Sequence, residues 1–273
     1  MESIALLITL LFDALVLPFG RHHAAALVIV SILSGAAFAL VFRATSKPDR
    51  ITRARGRFQA RVLEMRLYPD DVVLLTRALL GALATQIDYF RAAGKPILIV
   101  LIVALPVYFQ LESRFAGRPL HASERALVTA TVKPGLDARA IPAELTGSDG
   151  LLVDPRSVRV RATREIAWRV EAKAAAVHHL TARVYDVEYR FPVQGSSRAR
   201  ALGRERSAGP FWSAFVHPGL PSIPDNSAIE TVRVSYPEQR FHLLGVDWDW
   251  LGVFLTGTLV GAAIPAVLLR IQM

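Results

Sequence analysis

The sequence predicts an α-helical membrane protein with three transmembrane helices, a cytoplasmic helical hairpin and an inserted all-β immunoglobulin-like sandwich domain. Three observations lead to this fold class. The 273-residue chain is 52% hydrophobic, which is high for a soluble protein and ordinary for a membrane protein with a soluble part. Its apolar residues form long runs near the start, near residue 100 and near the end of the chain. Basic residues crowd the segment between the first two runs, and short alternating segments precede the last.

The net charge of +9 has two interpretations. One is binding of nucleic acid. The other is that the basic residues lie on the cytoplasmic side of a membrane and contact anionic lipid. We favour the second, because eleven Lys and Arg residues fall between Arg43 and Lys95, and we predict no specific nucleic-acid partner. The absence of Cys excludes a disulfide framework, a thiolate metal site and a Cys nucleophile.

Residues 1–20 predict an amphipathic helix that lies in the membrane interface. The apolar run from Ile4 to Leu17 is too short to cross a bilayer, and Pro18-Phe19-Gly20 ends it. A signal peptide has a basic start and a small-residue cleavage site, whereas this sequence starts Met-Glu-Ser with no Lys or Arg before Arg21. Asp13 would be costly in hydrocarbon, so we expect it to face water while the apolar face enters the outer interface.

The three apolar runs predict transmembrane helices at residues 24–43, 96–112 and 248–270. The first holds nineteen uncharged residues from Ala24 to Phe42, which is enough to cross a membrane. The second is short, so we expect the bilayer to thin there or adjoining residues to enter it. Pro106 should kink this helix. Trp248 and Trp250 at the start of the third helix are typical of an aromatic belt at the membrane surface.

Small side chains recur at helical spacing in two of the predicted spans. Ser31, Gly35 and Ala39 fall four residues apart in the first, and Gly257 and Gly261 fall four apart in the third. Such faces let two helices approach closely in lipid, where no hydrophobic force drives them together. The alternative is that small residues are simply common in an Ala-rich chain.

Residues 46–94 predict a basic hairpin of two antiparallel helices. Apolar residues at spacings of three and four give each arm one stripe, which we expect to be buried between the arms or against lipid. The stripe contains Ile51, Phe58, Val62, Leu75, Leu79 and Leu83. Contact with lipid or with a client protein is assigned to Phe58 and to four cations on one face, Arg50, Arg53, Arg57 and Arg61.

The charge distribution also predicts the orientation. Short loops rich in Lys and Arg stay in the cytoplasm, because these residues resist translocation. The hairpin is therefore expected inside, and the N-terminus and the β domain outside. Three spans then place the C-terminus inside. The predicted location is the cytoplasmic membrane of a prokaryote.

Residues 113–245 predict the β domain. Ile166, Trp168 and Val170 alternate with polar or small neighbours, and Val158 and Val160 alternate with Arg159. This is the pattern of half-buried strands. Six or seven such short strands, separated by turns rich in Gly and Ser, predict an immunoglobulin-like sandwich.

The sequence offers no arrangement typical of an enzyme. The two His pairs, His22-His23 and His178-His179, have adjacent side chains that cannot share a helix or strand face. We find no Gly-rich phosphate loop, no Gly-x-Ser-x-Gly and no His-Glu-x-x-His. We therefore predict no enzymatic activity, no metal site and no cofactor.

The order of segments resembles the YidC/Oxa/Get insertase superfamily. The resemblance is carried by Leu11-Phe12-Asp13 through Pro18-Phe19, a span that ends in Val41-Phe42-Arg43, a basic hairpin and two further spans. It is strongest to three-span members such as the corresponding subunit of the endoplasmic-reticulum membrane complex and small prokaryotic relatives. It implies a groove open to the cytoplasm and a hairpin that captures hydrophobic segments. Many members carry a cationic residue in the first span, whereas Ala24 to Phe42 here has none.

Two functional hypotheses from different classes follow. The first is an insertase or chaperone of membrane-protein biogenesis, with nascent membrane proteins as clients. The second is a membrane-anchored scaffold whose β domain binds an envelope protein. A polar groove between the spans would favour the first, and a dry helix bundle with a large apolar patch on the β domain would favour the second.

Overall fold

The computed structural model describes the chain at residues 2–20, 22–46, 48–67, 72–174, 176–185, 187–194, 202–208, 223–224 and 227–268. The chain divides into two compact units. One unit comprises Met1–Val30 and Pro106–Leu255, and the other comprises Ser31–Leu105 and Thr256–Met273. We call the first the β unit and the second the helical unit.

Five α-helices occur in the described ranges. They are α1 (Glu2–Val16), α2 (His23–Thr45), α3 (Pro48–Leu67), α4 (Val72–Phe115) and α5 (Trp250–Leu268), and a short 3-10 helix (Leu17–Phe19) follows α1. Three helical segments are long and apolar enough to cross a membrane. These segments are His23–Thr45, Ala93–Phe115 and Trp250–Leu268, with mean hydropathies of 2.5, 1.9 and 2.0. The chain is thus a multi-pass membrane protein.

The second span is part of a longer helix than the sequence predicts. The second hairpin arm and the predicted span at 96–112 form one helix of 44 residues, α4, which runs through Pro96 and Pro106. Its apolar part begins at Ala93 and ends at Phe115, so the span has 23 residues and is not short. An apolar segment in lipid must satisfy its backbone groups internally, and a helix can do this despite the loss of one N–H donor at each Pro.

The β unit contains eleven strands in the described residues. They are β1 (Glu124–Val132), β2 (Ala143–Gly147), β3 (Leu151–Val153), β4 (Val158–Val160), β5 (Glu165–Ala172), β6 (Val177–Val184), β7 (Val187–Gln194), β8 (Glu205–Ser207), β9 (Ile229–Val234), β10 (Arg240–Leu243) and β11 (Val246–Asp249). One sheet has the order β3-β5-β1-β9-β8, with β4 also paired to β5, and a second has the order β2-β6-β7. Strands β10 and β11 form a separate two-stranded sheet.

The two larger sheets contribute to one hydrophobic core. In β5 the alternate residues Ile166, Trp168 and Val170 are buried, as their spacing predicts. Leu180 of β6 and Phe191 of β7 belong to the same buried cluster. The longer strands β1, β5 and β6 therefore bury alternate residues, and residues of both sheets meet in this cluster.

Strand β4 departs from the predicted alternation. Val158 and Val160 are exposed, at 64% and 39% of their surface. Arg159 lies on the opposite side, where its guanidinium donates hydrogen bonds to the carbonyls of Ala138 and Ile141 at 3.1 and 2.6 Å. The three-residue strand sits at a sheet margin, and these hydrogen bonds hold the Arg inward instead of the valines.

The third span begins two residues later than predicted. Trp248 lies in β11, opposite Phe241 of β10, so the β structure continues past residue 245. The side chain of Asp249 then accepts a hydrogen bond from the backbone N–H of Gly252 at 3.0 Å. A carboxylate that accepts from a first-turn N–H is a typical helix cap, and α5 accordingly begins at Trp250.

Candidate functional site at the C-terminal end of the second span

The C-terminal end of α4 and the residues that follow it are hydrogen-bonded to two other segments of the β unit. The N–H of Leu202 donates to the carbonyl of Ser113 at 2.7 Å, and the N–H of Arg118 donates to the carbonyl of Pro237 at 3.0 Å. Phe115 is buried, and its ring centre lies 6.4 Å from that of Phe241. These contacts fix the last turn of α4 against the residues that precede β8 and β10.

A buried arginine joins this end of α4 to α1. The side chain of Arg114 is fully buried, and its Nη2 donates to Asp13 Oδ1 at 2.6 Å. Its Nη1 donates to the carbonyl of Gln110 at 3.0 Å and also contacts the side-chain oxygen of Gln110. Gln110 in turn donates from Nε2 to Thr9 Oγ1 at 2.9 Å, and the Phe12 ring lies 5.9 Å from the guanidinium.

This network changes the interpretation of Asp13. The sequence predicts that Asp13 faces water, whereas the structure pairs it with Arg114 and leaves its side chain 34% exposed. Desolvation makes a buried ion pair a weak source of net stability, but removing one partner leaves an uncompensated charge. The pair therefore fixes the position of α1 along α4. A polar network at this depth in a membrane protein marks a candidate functional site.

Next to this network lies a cavity of about 1010 Å³. Its helical wall carries Tyr108 of α4 and Trp250 of α5, whose ring centres are 5.2 Å apart. The opposite wall comes from the residues around β8, β9 and β10. Its charged and aromatic lining includes Glu112, Arg204, Glu205, Arg233, Tyr236, Glu238 and Arg240.

Two of the cations in the cavity are neutralised by neighbouring carboxylates. Arg233 Nε donates to Glu205 at 2.7 Å, and Arg240 Nη2 donates to Glu238 at 3.0 Å. Arg204 differs, because its Nε is buried and has no hydrogen-bond partner among the described residues. Burial lowers the pKa of Arg204, and the nearby charge of Glu112 partly opposes this effect. The cavity thus holds one guanidinium that its surroundings do not satisfy.

The four arginines assigned to the hairpin are only partly described. Arg53 and Arg57 have exposed side chains on α3, whereas the side chains of Arg50 and Arg61 lie outside the described set. Phe58 is 37% exposed. Val62, Leu79 and Leu83 of the predicted stripe are 43–57% exposed, whereas the side chains of Ile51 and Leu75 lie outside the described set. Neighbouring large apolar residues are exposed at 54–63% of their surface: Leu63, Leu80, Ile87 and Phe90. The sequence predicts that the stripe is buried either between the two arms or against lipid. The exposure of these residues does not agree with burial between the arms.

The small residues of α2 and α5 meet within the helical unit. A Cβ placed on Gly35 would collide with the carbonyl of Thr258, and one on Gly261 would collide with that of Ile32. Thr258 Oγ1 also lies 3.5 Å from the carbonyl of Ser31. Ser31 and Ala39 are buried on the same helix as Gly35, and Gly257 is half-buried. Backbone-to-backbone contact of this kind requires glycine at both positions.

The tryptophans take two different positions. Trp250 is the first residue of α5 and lines the cavity. Trp248 lies in β11, and its Nε1 is buried without a partner among the residues that the structure describes. In the same residues, no group of three or more His, Cys, Asp and Glu is arranged to hold a metal.

Sequence reasoning missed both Arg114 and the cavity. A signal for the ion pair exists, since Asp13 interrupts one apolar run and Arg114 closely follows another, and opposite charges near hydrocarbon tend to pair. No such signal exists for Arg204, which is 92 positions beyond Glu112 (204 − 112) and lies in a polar loop. Only the fold brings these two charges to one cavity.

Comparisons of the chain with protein-family models, with curated proteins and with solved structures found no match. The fold alone defines the class of this protein. It is a multi-pass membrane protein that carries β-sheets between its second and third spans.

Proposed function

We propose that this protein is an insertase- or chaperone-like factor of membrane-protein biogenesis, which receives hydrophobic segments on its cytoplasmic hairpin. The main observation in support of this proposal is the exposed apolar surface of the hairpin helices. Nine large apolar residues of α3 and the first part of α4, including Phe58, Leu83 and Phe90, expose 37–78% of their surface. This surface continues toward the apolar span within one helix.

Such a surface calls for an apolar partner. Each square ångström of apolar surface left in water forgoes about 25 cal/mol, so extended apolar stripes on soluble segments mark interaction sites. Amphipathic helices present residues at three- and four-residue spacing to apolar ligands in this manner. The exposed Arg53 and Arg57 beside the stripe add attraction to anionic lipid headgroups. A nascent membrane segment near the lipid surface matches both properties.

The orientation and location form part of the proposal. The cytoplasmic membrane is the proposed site, with the hairpin and the C-terminus inside and the N-terminus and the β domain outside. The excess of Lys and Arg between residues 43 and 95 supports this orientation.

The proposed experiment replaces Arg50, Arg53, Arg57 and Arg61 by Gln and places a photo-crosslinking amino acid at Leu83, which is 57% exposed. Nascent membrane proteins should crosslink to the otherwise native chain in cells, and these crosslinks should be lost from the Gln variant. The matched control replaces the same four residues by Lys and should retain them. A Cys placed at Ser46 of this Cys-free chain reports whether each variant keeps its orientation.

An unchanged crosslinking pattern in a correctly oriented Gln variant would show that these cations do not capture clients. The second hypothesis, an envelope scaffold, would then lead. On the β1–β5 face, however, exposed Leu127 lies opposite Arg169 and exposed Leu152 lies opposite Glu171. Charge thus interrupts the apolar surface that a scaffold interface would use, which is why we place this hypothesis second.

We also propose that the β domain is immunoglobulin-like with a permuted strand order. In the immunoglobulin fold, strands A, B, E and D form one sheet and strands C, F and G form the other. If β1 takes the place of B, the order β3-β5-β1-β9 corresponds to D-E-B-A and the order β2-β6-β7 corresponds to C-F-G. Strand β9, near the end of the domain, then occupies the place of A and pairs antiparallel with β1. These correspondences and the shared core support the assignment.

A further inference from the structure

The cavity at the C-terminal end of α4 lies at a depth where lipid headgroups are found. Tyr108 is near the end of the second span and Trp250 is the first residue of the third, and their rings contact each other in the cavity wall. Aromatic residues at the ends of spans mark the boundary between hydrocarbon and water. Both walls of the cavity belong to the β unit, so its position at this boundary follows from that unit alone.

Among the described residues of the cavity, Arg204 and Glu112 make no side-chain hydrogen bond, whereas the remaining unpaired carboxylate, Asp249, caps α5 by accepting from the Gly252 N–H. Arg233 and Arg240 each bind a carboxylate of the cavity. Arg204 is close enough to Glu112 and Glu238 to feel their negative charge, but it makes no hydrogen bond to either. The Glu112 carboxylate likewise acts on Arg204 as a charge only. A guanidinium with a free fork binds phosphate in bidentate fashion, and a carboxylate beside aromatic rings attracts an ammonium group.

The position of Arg204 is fixed by its backbone. Its N–H donates to the carbonyl of Leu202 at 2.8 Å, and its carbonyl accepts from the N–H of Val234 at 2.7 Å. The guanidinium lies so close to Gly117 that a Cβ there would be 2.9 Å from its central carbon. Glycine at 117 therefore makes room for the arginine, and the side chain is positioned before any ligand arrives.

We propose that this cavity binds a phosphoester that also carries an ammonium group, supplied by the headgroup of phosphatidylethanolamine, with the phosphate on Arg204 and the ammonium on Glu112. Tyr108 and Trp250, whose rings line the same wall as Glu112, contact the ammonium side of the headgroup. The proposal is independent of the hairpin and of client capture. It assigns to the β unit a lipid-binding role that its fold class does not imply.

The test uses the full-length protein in detergent and native mass spectrometry with three probes: short-chain phosphatidylethanolamine, short-chain phosphatidylglycerol and soluble glycerophosphoethanolamine. The native chain should retain phosphatidylethanolamine preferentially. Arg204→Gln should lower retention of both lipids by about tenfold, because one charge-assisted contact is lost. Glu112→Gln should leave phosphatidylglycerol bound and abolish the preference for phosphatidylethanolamine.

Two controls keep these outcomes interpretable. Arg125→Gln removes a cation that pairs with Glu171 on the exposed surface, outside the cavity, and should bind lipid as the native chain does. Arg204→Lys keeps the charge and should retain part of the binding, and tryptophan fluorescence melting checks that every variant is folded. Equal lipid retention in all variants would reduce the signal to non-specific annular lipid and overturn the proposal. If soluble glycerophosphoethanolamine binds as strongly as the lipid, the ligand of the cavity is not a membrane lipid, and this part of the proposal is wrong.

Discussion

The β domain and the hairpin place their apolar side chains in opposite environments. In the β domain, alternate residues of β1, β5, β6 and β7 are buried in one core, where Trp168 is 3% exposed. In the hairpin, residues of similar size are exposed, and Phe90 reaches 63%. The domain thus buries its own apolar residues, whereas the described large apolar residues of the hairpin remain exposed. We therefore expect substitutions in the core of the domain to change stability and substitutions in the hairpin to change binding.

The largest expected effect comes from the core of the β domain. Trp168→Ala removes a buried aromatic side chain on β5 and should lower the free energy of unfolding by about 3–5 kcal/mol. Leu127→Ala is the matched control, since Leu127 is 49% exposed on the neighbouring β1, and its effect should be within about 0.5 kcal/mol. Thermal unfolding of the full chain in detergent measures both. Equal effects would show that the β domain does not bury its apolar residues as described.

A smaller effect is expected from the ion pair at the start of β1. Arg118 donates to both carboxylate oxygens of Glu124, at 2.6 and 2.7 Å. This pairing lowers the pKa of Glu124 from its usual 4.5 to about 2. The stability contributed by Glu124 is therefore present above pH 4.5 and is lost as the pH falls toward 2.

The Glu124 side chain is 25% exposed, so solvent screening limits the contribution to about 1 kcal/mol. Arg118→Gln should remove this part of the pH dependence between 4.5 and 2. Unfolding midpoints of the native chain and the variant, measured across that window, test the expectation. Identical pH profiles would assign the acid sensitivity of the domain to other carboxylates.

The smallest effect on folding is expected in the hairpin. The sequence pattern suggests that Phe58→Asp places a charge in an apolar seam and destabilises the hairpin, but Phe58 is 37% exposed in the structure. We therefore expect a change in unfolding free energy within about 0.5 kcal/mol and a clear loss of crosslinks to lipid or clients. Protease resistance of the hairpin and crosslinking from Leu83 measure the two effects separately. A loss of stability as large as that of Trp168→Ala would show that the stripe is buried and would remove the contrast between the two regions.

Local periodicity accounts for the parts of this protein that the sequence predicts well. The apolar runs identify the three spans, because hydrocarbon excludes charge over a fixed length of helix. The alternation of Ile166, Trp168 and Val170 identifies a strand with one buried face, because side chains alternate across a sheet. The small residues Gly35 and Gly261 identify the positions where α2 and α5 meet, because only glycine admits such contact.

The remaining features depend on which distant residues the tertiary structure brings together. Arg159 rather than Val158 turns inward in β4, because carbonyls of the chain before β2 happen to lie within its reach. Asp13 pairs with Arg114 across 101 positions. The cavity forms because α4, the residues before β8 and those before β10 are held together by backbone hydrogen bonds. The periodicity of a sequence reflects whether each side chain prefers water or an apolar environment. The partner of a charged side chain depends instead on which distant segments the topology brings together. The packing of the whole unit decides that topology.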